Sequence, residues 1–168
     1  MEADYLHLIV NHVPIFSVGF GLLILLWGLI KKNTTILQIA LTFFLIGAVS
    51  SYVAMETGEA AEDIVEELNV ASHDVIHDHE EAAEIAFWFT ILTGVISAVG
   101  FFALSYNIRW QNTLFGILAI SALISLGSLL YTAYQGGKIF HPKNQTSHIE
   151  KVPPQNSYHD LPTTYRLT

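Results

Sequence analysis

Four long apolar stretches, separated by polar ones, dominate the pattern of this chain. A helix rises about 1.5 Å per residue, so about 20 apolar residues cross the hydrocarbon core of a bilayer. A soluble four-helix bundle is disfavoured, because the longest apolar runs carry no continuous polar stripe. The pattern therefore predicts four transmembrane helices, at about residues 5–30, 35–56, 84–106 and 114–136.

The links between the predicted helices set their order in space. Those after the first and third helices are short, so consecutive helices pack antiparallel. The predicted fold is all-α: an up-down-up-down four-helix transmembrane bundle over residues 1–141, followed by an extended polar tail over residues 142–168. We expect Gly136 and Gly137 to end the fourth helix, because glycine readily adopts the left-handed conformation that closes helices.

Composition supports a membrane protein and shows where its acid lies. Charged residues make up 13% of the chain, about half the fraction typical of soluble domains. Most of the net charge of −8 comes from residues 56–84, which hold eleven Asp or Glu residues and no Lys or Arg. Their three- and four-residue spacing predicts a helical acidic link outside the membrane, between the second and third helices. Such a surface repels nucleic acid, so no nucleic-acid partner is expected. The expected partners are membrane lipid and other membrane protein subunits.

Basic residues predict the orientation. Lys31, Lys32 and Arg109 lie in the two short links, and lysine and arginine favour cytoplasmic loops. We therefore expect both termini and the acidic link on the outer, periplasmic side. Lys138 and Lys143, close to the other surface, work against this assignment.

Ionisable side chains collect at one end of the four predicted helices. Counting about 22 residues from the inner end of each helix places them in one layer near the outer surface. The candidate ligands are His7, His12, Glu56, Glu59, His77, His79, Glu80, Glu84 and His141. Convergence from four separate helices predicts a polar site rather than a set of ordinary helix caps.

Three kinds of site fit these side chains. The first is a transition-metal site, although the duplicated Glu-x-x-His pattern of di-iron bundles is missing. Its candidate ligands are His7, His12, Glu56, Glu59, His79, Glu80, Glu84 and His141. The second is haem b, with axial imidazoles from His12 and either His77 or His79; covalent haem attachment is excluded because the chain has no cysteine. The third is a proton or ion route, which intramembrane carboxyl groups commonly mark.

Several segments resemble an uncharacterised bacterial family of four-span membrane proteins. The opening His7-x4-His12-Val13-Pro14-Ile15 resembles the family's His-Pro-x3-His-Phe-Pro-Ile start, with leucine and valine in place of its first proline and its phenylalanine. Residues 57–62, 79–81 and 136–141 resemble its second-helix end, its third-helix start and its closing glycine and histidine segment. The resemblance covers about residues 5–142 and implies a bundle in a bacterial inner membrane. The family carries no established activity.

These features lead to one hypothesis and two alternatives. We expect an integral membrane subunit, a redox-linked or accessory component of a bacterial respiratory or electron-transfer complex. Its histidine and carboxylate site at the outer surface would hold haem b or a transition metal ion. A purely structural or assembly subunit without a cofactor is the first alternative. A small ion- or proton-conducting transporter is the second, and the sequence shows no nucleophile constellation or phosphate loop.

Overall fold

The computed structural model describes residues 3–67 and 71–140, and within them the chain is helical, with no strand. Four segments are long and apolar enough to cross a membrane, so the predicted all-α four-helix transmembrane fold is confirmed. They are Leu6–Lys31, Thr34–Glu62, His73–Ser105 and Gln111–Ile139. The helices are α1 (Ala3–Val10), α2 (His12–Lys31), α3 (Thr34–Glu67), α4 (His73–Ser105) and α5 (Gln111–Phe140).

The first membrane crossing is one span, Leu6–Lys31, with a one-residue break in its helical hydrogen bonding between α1 and α2. Asn11 forms a turn between α1 and α2, and its N–H donates to the His7 carbonyl at 2.9 Å. Pro14 has no N–H to offer the carbonyl of Val10, four residues earlier, so the regular hydrogen bonding of a helix is interrupted there. The break lies at the end of the bundle that carries the histidines, which we call the histidine end.

The helices extend well beyond the apolar stretches at the histidine end. The acidic link is helical, as predicted, because α3 continues to Glu67 and α4 begins directly after Ser72. Gly136 and Gly137 do not end the last helix, and that prediction is wrong: α5 continues to Phe140, and no described glycine has a positive φ. The predicted tail, residues 142–168, lies outside the described residues.

Apolar side chains fill the centre of the bundle and also cover its outside. Phe44, Phe115 and Leu118 are fully buried where the crossings meet. Leu23 and Trp88 are among the many large apolar side chains that point outward. A soluble protein rarely exposes so continuous an apolar surface, whereas hydrocarbon solvates it at no cost.

The bundle consists of two similar helix pairs. In the first, α1 and α2 together pair with α3, and in the second, α4 pairs with α5. A shift of 72 residues, from His7 to His79, places the first pair's leading helix on α4, and a shift of 78 residues, from Ala54 to Thr132, places α3 on α5. Buried positions then coincide. Six of the seven buried positions of α2 do so, all except Ser17: Pro14, Val18, Gly21, Leu22, Leu25 and Gly28 correspond to Ala86, Thr90, Thr93, Gly94, Ser97 and Gly100. In α3 they include Leu37, Ala40, Phe44, Gly47 and Ser51, corresponding to Phe115, Leu118, Ala122, Ser125 and Leu129.

Candidate functional site

His7 lies on α1 with its imidazole against α3. Its Nδ1 is 3.1 Å from the Ala54 carbonyl oxygen and 3.4 Å from the Thr57 hydroxyl. A carbonyl oxygen can only accept, so Nδ1 carries the proton and donates it to Ala54. When the ring is neutral, this tautomer leaves the lone pair on Nε2, which is the nitrogen that binds a metal when Nδ1 is engaged in this way.

His79 repeats this arrangement in the second helix pair. Its Nδ1 is 3.1 Å from the Thr132 carbonyl oxygen on α5, so Nδ1 donates and Nε2 is again left free. Thr132 is itself fixed, because its hydroxyl donates to the carbonyl oxygens of Ala82 at 2.8 Å and Ser128 at 3.0 Å. Both histidines are thus held by a backbone carbonyl of the neighbouring helix.

A glycine lies beside each imidazole. A Cβ atom added to Gly58 would stand 3.1 Å from Cε1 of His7, and one added to Gly136 would stand 3.0 Å from Cε1 of His79. Each glycine is four residues after the carbonyl that its histidine contacts, since Ala54 precedes Gly58 as Thr132 precedes Gly136. The absence of a side chain lets each ring lie close to the helix surface at a defined position.

The two histidines line one cavity of about 350 Å³ at the histidine end. The walls are mainly apolar, with Ile15, Met55 and Phe87 among the lining residues. The polar lining residues include Asn11, His12, Glu59, Glu62 and Glu80. A largely apolar cavity with a few converging polar groups is the form of most small-molecule sites.

A residue of the cavity wall carries a buried polar atom that has no hydrogen-bond partner among the described residues. The Oδ1 atom of Asn11 is buried, and no described residue donates a hydrogen bond to it. Asn11 follows His7 by one helical turn and lines the same cavity. A buried amide oxygen without a partner is costly.

The other predicted ligands are placed less deeply. His12 is exposed and lies at the cavity rim, together with Glu59 and Glu80. His77 lies on the outer surface of α4, where its ring nitrogens are 3.5 Å from carboxylate oxygens of Glu80 and Glu81. It does not line the cavity.

Two further predicted carboxylates also lie outside the cavity. Glu56 is exposed beside the Tyr52 hydroxyl, and Glu84 is exposed on α4. His141 lies outside the described residues. The structure therefore brings His7 and His79 into one cavity, with His12, Glu59 and Glu80 at its rim.

Helix geometry explains which histidines face inward. His7 and His12 are five residues apart, which is about 140° around a helix, and His77 and His79 differ by about 160°. His7 and His79 therefore face into the cavity, whereas His12 reaches only its rim and His77 lies outside it. Within residues 3–67 and 71–140, no three His, Asp or Glu side chains form a group that could hold a metal ion. The carboxylate-rich metal site stays a prediction.

Comparison with protein-family models, with curated proteins and with solved structures finds no match to this chain. The functional assignment of the cavity rests on its geometry alone.

Proposed function

We propose that this chain is a redox-linked integral membrane protein in which Nε2 of His7 and Nε2 of His79 bind haem b. The single observation that carries the proposal is the matched pair of inward-facing imidazoles, each fixed through Nδ1 to a carbonyl of a neighbouring helix. A ligand with two opposed coordination positions would take one imidazole from each helix pair.

The surroundings of the two imidazoles support haem rather than a bare ion. A metal ion held only by protein side chains usually needs three or four of them as ligands. Haem iron already has four porphyrin nitrogens as ligands and needs two more from the protein. In a metal-bound histidine, the ring nitrogen that does not bind the metal usually donates a hydrogen bond, for example to a backbone carbonyl. Apolar walls such as Ile15, Met55 and Phe87 suit the faces of a porphyrin. Haem would give the protein one-electron redox chemistry.

Absorption spectroscopy tests this proposal directly. The protein is purified from membranes in detergent, with and without added hemin, and its Soret band and reduced α band are recorded. We expect stoichiometric, low-spin haem in the unaltered protein, and loss of the low-spin spectrum in both His7→Ala and His79→Ala. His12→Ala and His77→Ala are the matched controls, because these histidines are exposed.

Two results would overturn the haem proposal. One is an unaltered protein that binds no haem even after hemin is added. The other is a spectrum that survives in both His7→Ala and His79→Ala. A structural or assembly subunit would then be the better description, and co-purification of other membrane subunits with the double variant would support it.

We also propose that the histidine end faces the periplasm of a bacterial inner membrane. The support is the position of Lys32 and Arg109 at the opposite end, in the turns after α2 and α4. The chain has no cysteine, so single cysteines can be introduced without removing any. An impermeant maleimide added to intact cells should label Glu81→Cys and leave Asn112→Cys unlabelled, and the reverse pattern would contradict this orientation.

A further inference from the structure

The cavity has two sides that correspond to each other in the two helix pairs but differ in their side chains. On one side α3 meets α4, and on the other α5 faces α1 and the start of α2. The shift of 78 residues that places Ala54 on Thr132 also places Met55 on Ala133 and Glu59 on Gly137. All four line the cavity. A large side chain on the α3 side is thus replaced by a small one, or by none, on the α5 side.

Packing differs between the two sides as the side chains suggest. α3 packs closely against α4 along the bundle, and α1 packs against α2 and α3. Within the described residues, α1 has no comparable contact with α5. Leu8 and His12 on one edge, and Ala133 and Gly137 on the other, are exposed although they line the cavity. We call the opening between these four residues the α1–α5 slot.

The face of α5 at Gly137 is not covered by any described side chain. A Cβ atom added to Gly137 would meet no atom within 4 Å, although the residue lines the cavity. At the adjacent Gly136 an added Cβ would meet the His79 ring at 3.0 Å. The slot therefore borders the part of α5 that packs against His79. Leu8 and Ala133 give it an apolar edge at the level where the first and fourth crossings enter the membrane.

We infer that the apolar edge of the flat ligand held by His7 and His79 occupies the α1–α5 slot and enters the cavity from the bilayer through it. This inference rests on the proposed haem function. Three rim carboxylates lie on α3 and α4, at Glu59, Glu62 and Glu80, whereas His12 is the rim residue beside the slot. An apolar edge that lies between Leu8, His12, Ala133 and Gly137 therefore meets no carboxylate of the cavity lining.

Closing the slot should slow ligand uptake. Ala133→Met gives the slot the side chain found at the corresponding position of α3, and Gly137→Leu places a large side chain in the slot. Gly127→Leu is the matched control, because a Cβ at Gly127 also meets no atom within 4 Å and Gly127 does not line the cavity. Hemin is added to apoprotein in lipid nanodiscs, and the growth of the low-spin Soret band is followed in time. We expect Ala133→Met and Gly137→Leu to take up hemin about tenfold more slowly than the control.

Failure of the slot and failure of the haem proposal give different results. If the unaltered protein takes up no hemin, the proposed function fails. If it takes up hemin and the folded slot variants match the control, the slot inference alone fails.

A second measurement avoids bulky substitutions. Gly137→Cys and Gly127→Cys are labelled with a membrane-permeant maleimide before and after hemin is bound. We expect hemin to protect the cysteine at 137 and not the one at 127. Equal labelling of the 137 cysteine with and without bound hemin would overturn the inference.

Discussion

The two helix pairs make corresponding helix–helix contacts, but different kinds of side chain form those contacts. In α4–α5, the hydroxyl oxygens of Thr90 and Ser125 are 2.8 Å apart, and so are those of Thr93 and Ser121. The corresponding residues of α2–α3 are also neighbours. A Cβ atom on Gly47 would stand 3.1 Å from Cγ2 of Val18, and one on Gly21 would stand 3.2 Å from Cβ of Phe43.

The first pair is therefore joined where a large apolar side chain fits the space above a glycine, and the second is joined by hydrogen bonds between hydroxyls. Both solutions bring two helix backbones close together in lipid, where small residues and hydroxyl pairs are the usual means of helix association. The contact geometry is shared even though the residues differ. At the histidine end, in contrast, histidine, carbonyl and glycine recur in both pairs, which points to a requirement of the site rather than of packing.

The largest effect is expected from filling the space beside one imidazole at a time, which tests whether the two histidines are equivalent. Gly58→Ala and Gly136→Ala each place a Cβ about 3 Å from an imidazole carbon, so the ring has to move away from its carbonyl partner. Loss of such outer-shell support typically lowers metal affinity about tenfold to a hundredfold. We expect losses of that size for haem in both variants, measured by hemin titration.

Gly127→Ala is the control for this pair, because the added methyl group meets nothing within 4 Å and Gly127 does not line the cavity. Equivalent histidines require that Gly58→Ala and Gly136→Ala shift the low-spin spectrum in the same way. If one of the two variants binds haem as the unaltered protein does, the two histidines do not have equivalent roles.

A smaller difference is expected at the opposite end of the bundle. Gly28 and Gly100 correspond, and a Cβ would stand 2.8 Å from Leu37 Cδ2 at Gly28 and 2.9 Å from Leu41 Cδ2 at Gly100. Ile36 also lies within 3.2 Å of a Cβ at Gly28, so Leu37 has less room to move there. We expect Gly28→Ala to lower the free energy of unfolding by about 1–3 kcal/mol, the usual cost of overpacking, and Gly100→Ala to cost less.

Unfolding in mixed detergent and SDS measures both costs. Gly116→Ala is the control, because its added methyl group meets no atom within 4 Å. A greater loss in Gly100→Ala than in Gly28→Ala would show that the two turn-proximal contacts are not governed by the room around the leucine.

Sequence patterns sufficed for the fold because hydrocarbon leaves a spanning chain little choice. Long apolar stretches must be helical there, since every backbone group has to be paired within the segment. The histidine end was also predictable, because His7 and His79 were among the ligands expected in one layer. Which histidines face inward was not, since His7 and His12 lie on opposite sides of a short helical stretch whose rotation depends on the break at Asn11.

The glycines illustrate the same limit. Gly136 predicted a helix end, because glycine in isolation favours left-handed conformations, yet in the structure it stays helical and contacts His79. The signal that could have identified it was the repeat itself: Ala54 and Gly58 recur as Thr132 and Gly136 with the same spacing. Only the structure shows that both members of each pair face a histidine.

The smallest expected effect comes from exchanging the chemistry of one contact between the halves. Thr90→Val alone leaves the Ser125 hydroxyl without its partner, and such interhelical hydrogen bonds contribute about 0.6 kcal/mol on average in membranes. Adding Ser125→Gly recreates the Val18–Gly47 contact of the first half. If geometry rather than chemistry is what the halves share, the double variant should be closer in stability to the unaltered protein than the sum of its single variants, as a double-mutant cycle in SDS would measure. Additive losses would instead mean that α4–α5 has adjusted its backbone to the hydroxyl pair and no longer accommodates the packing of α2–α3.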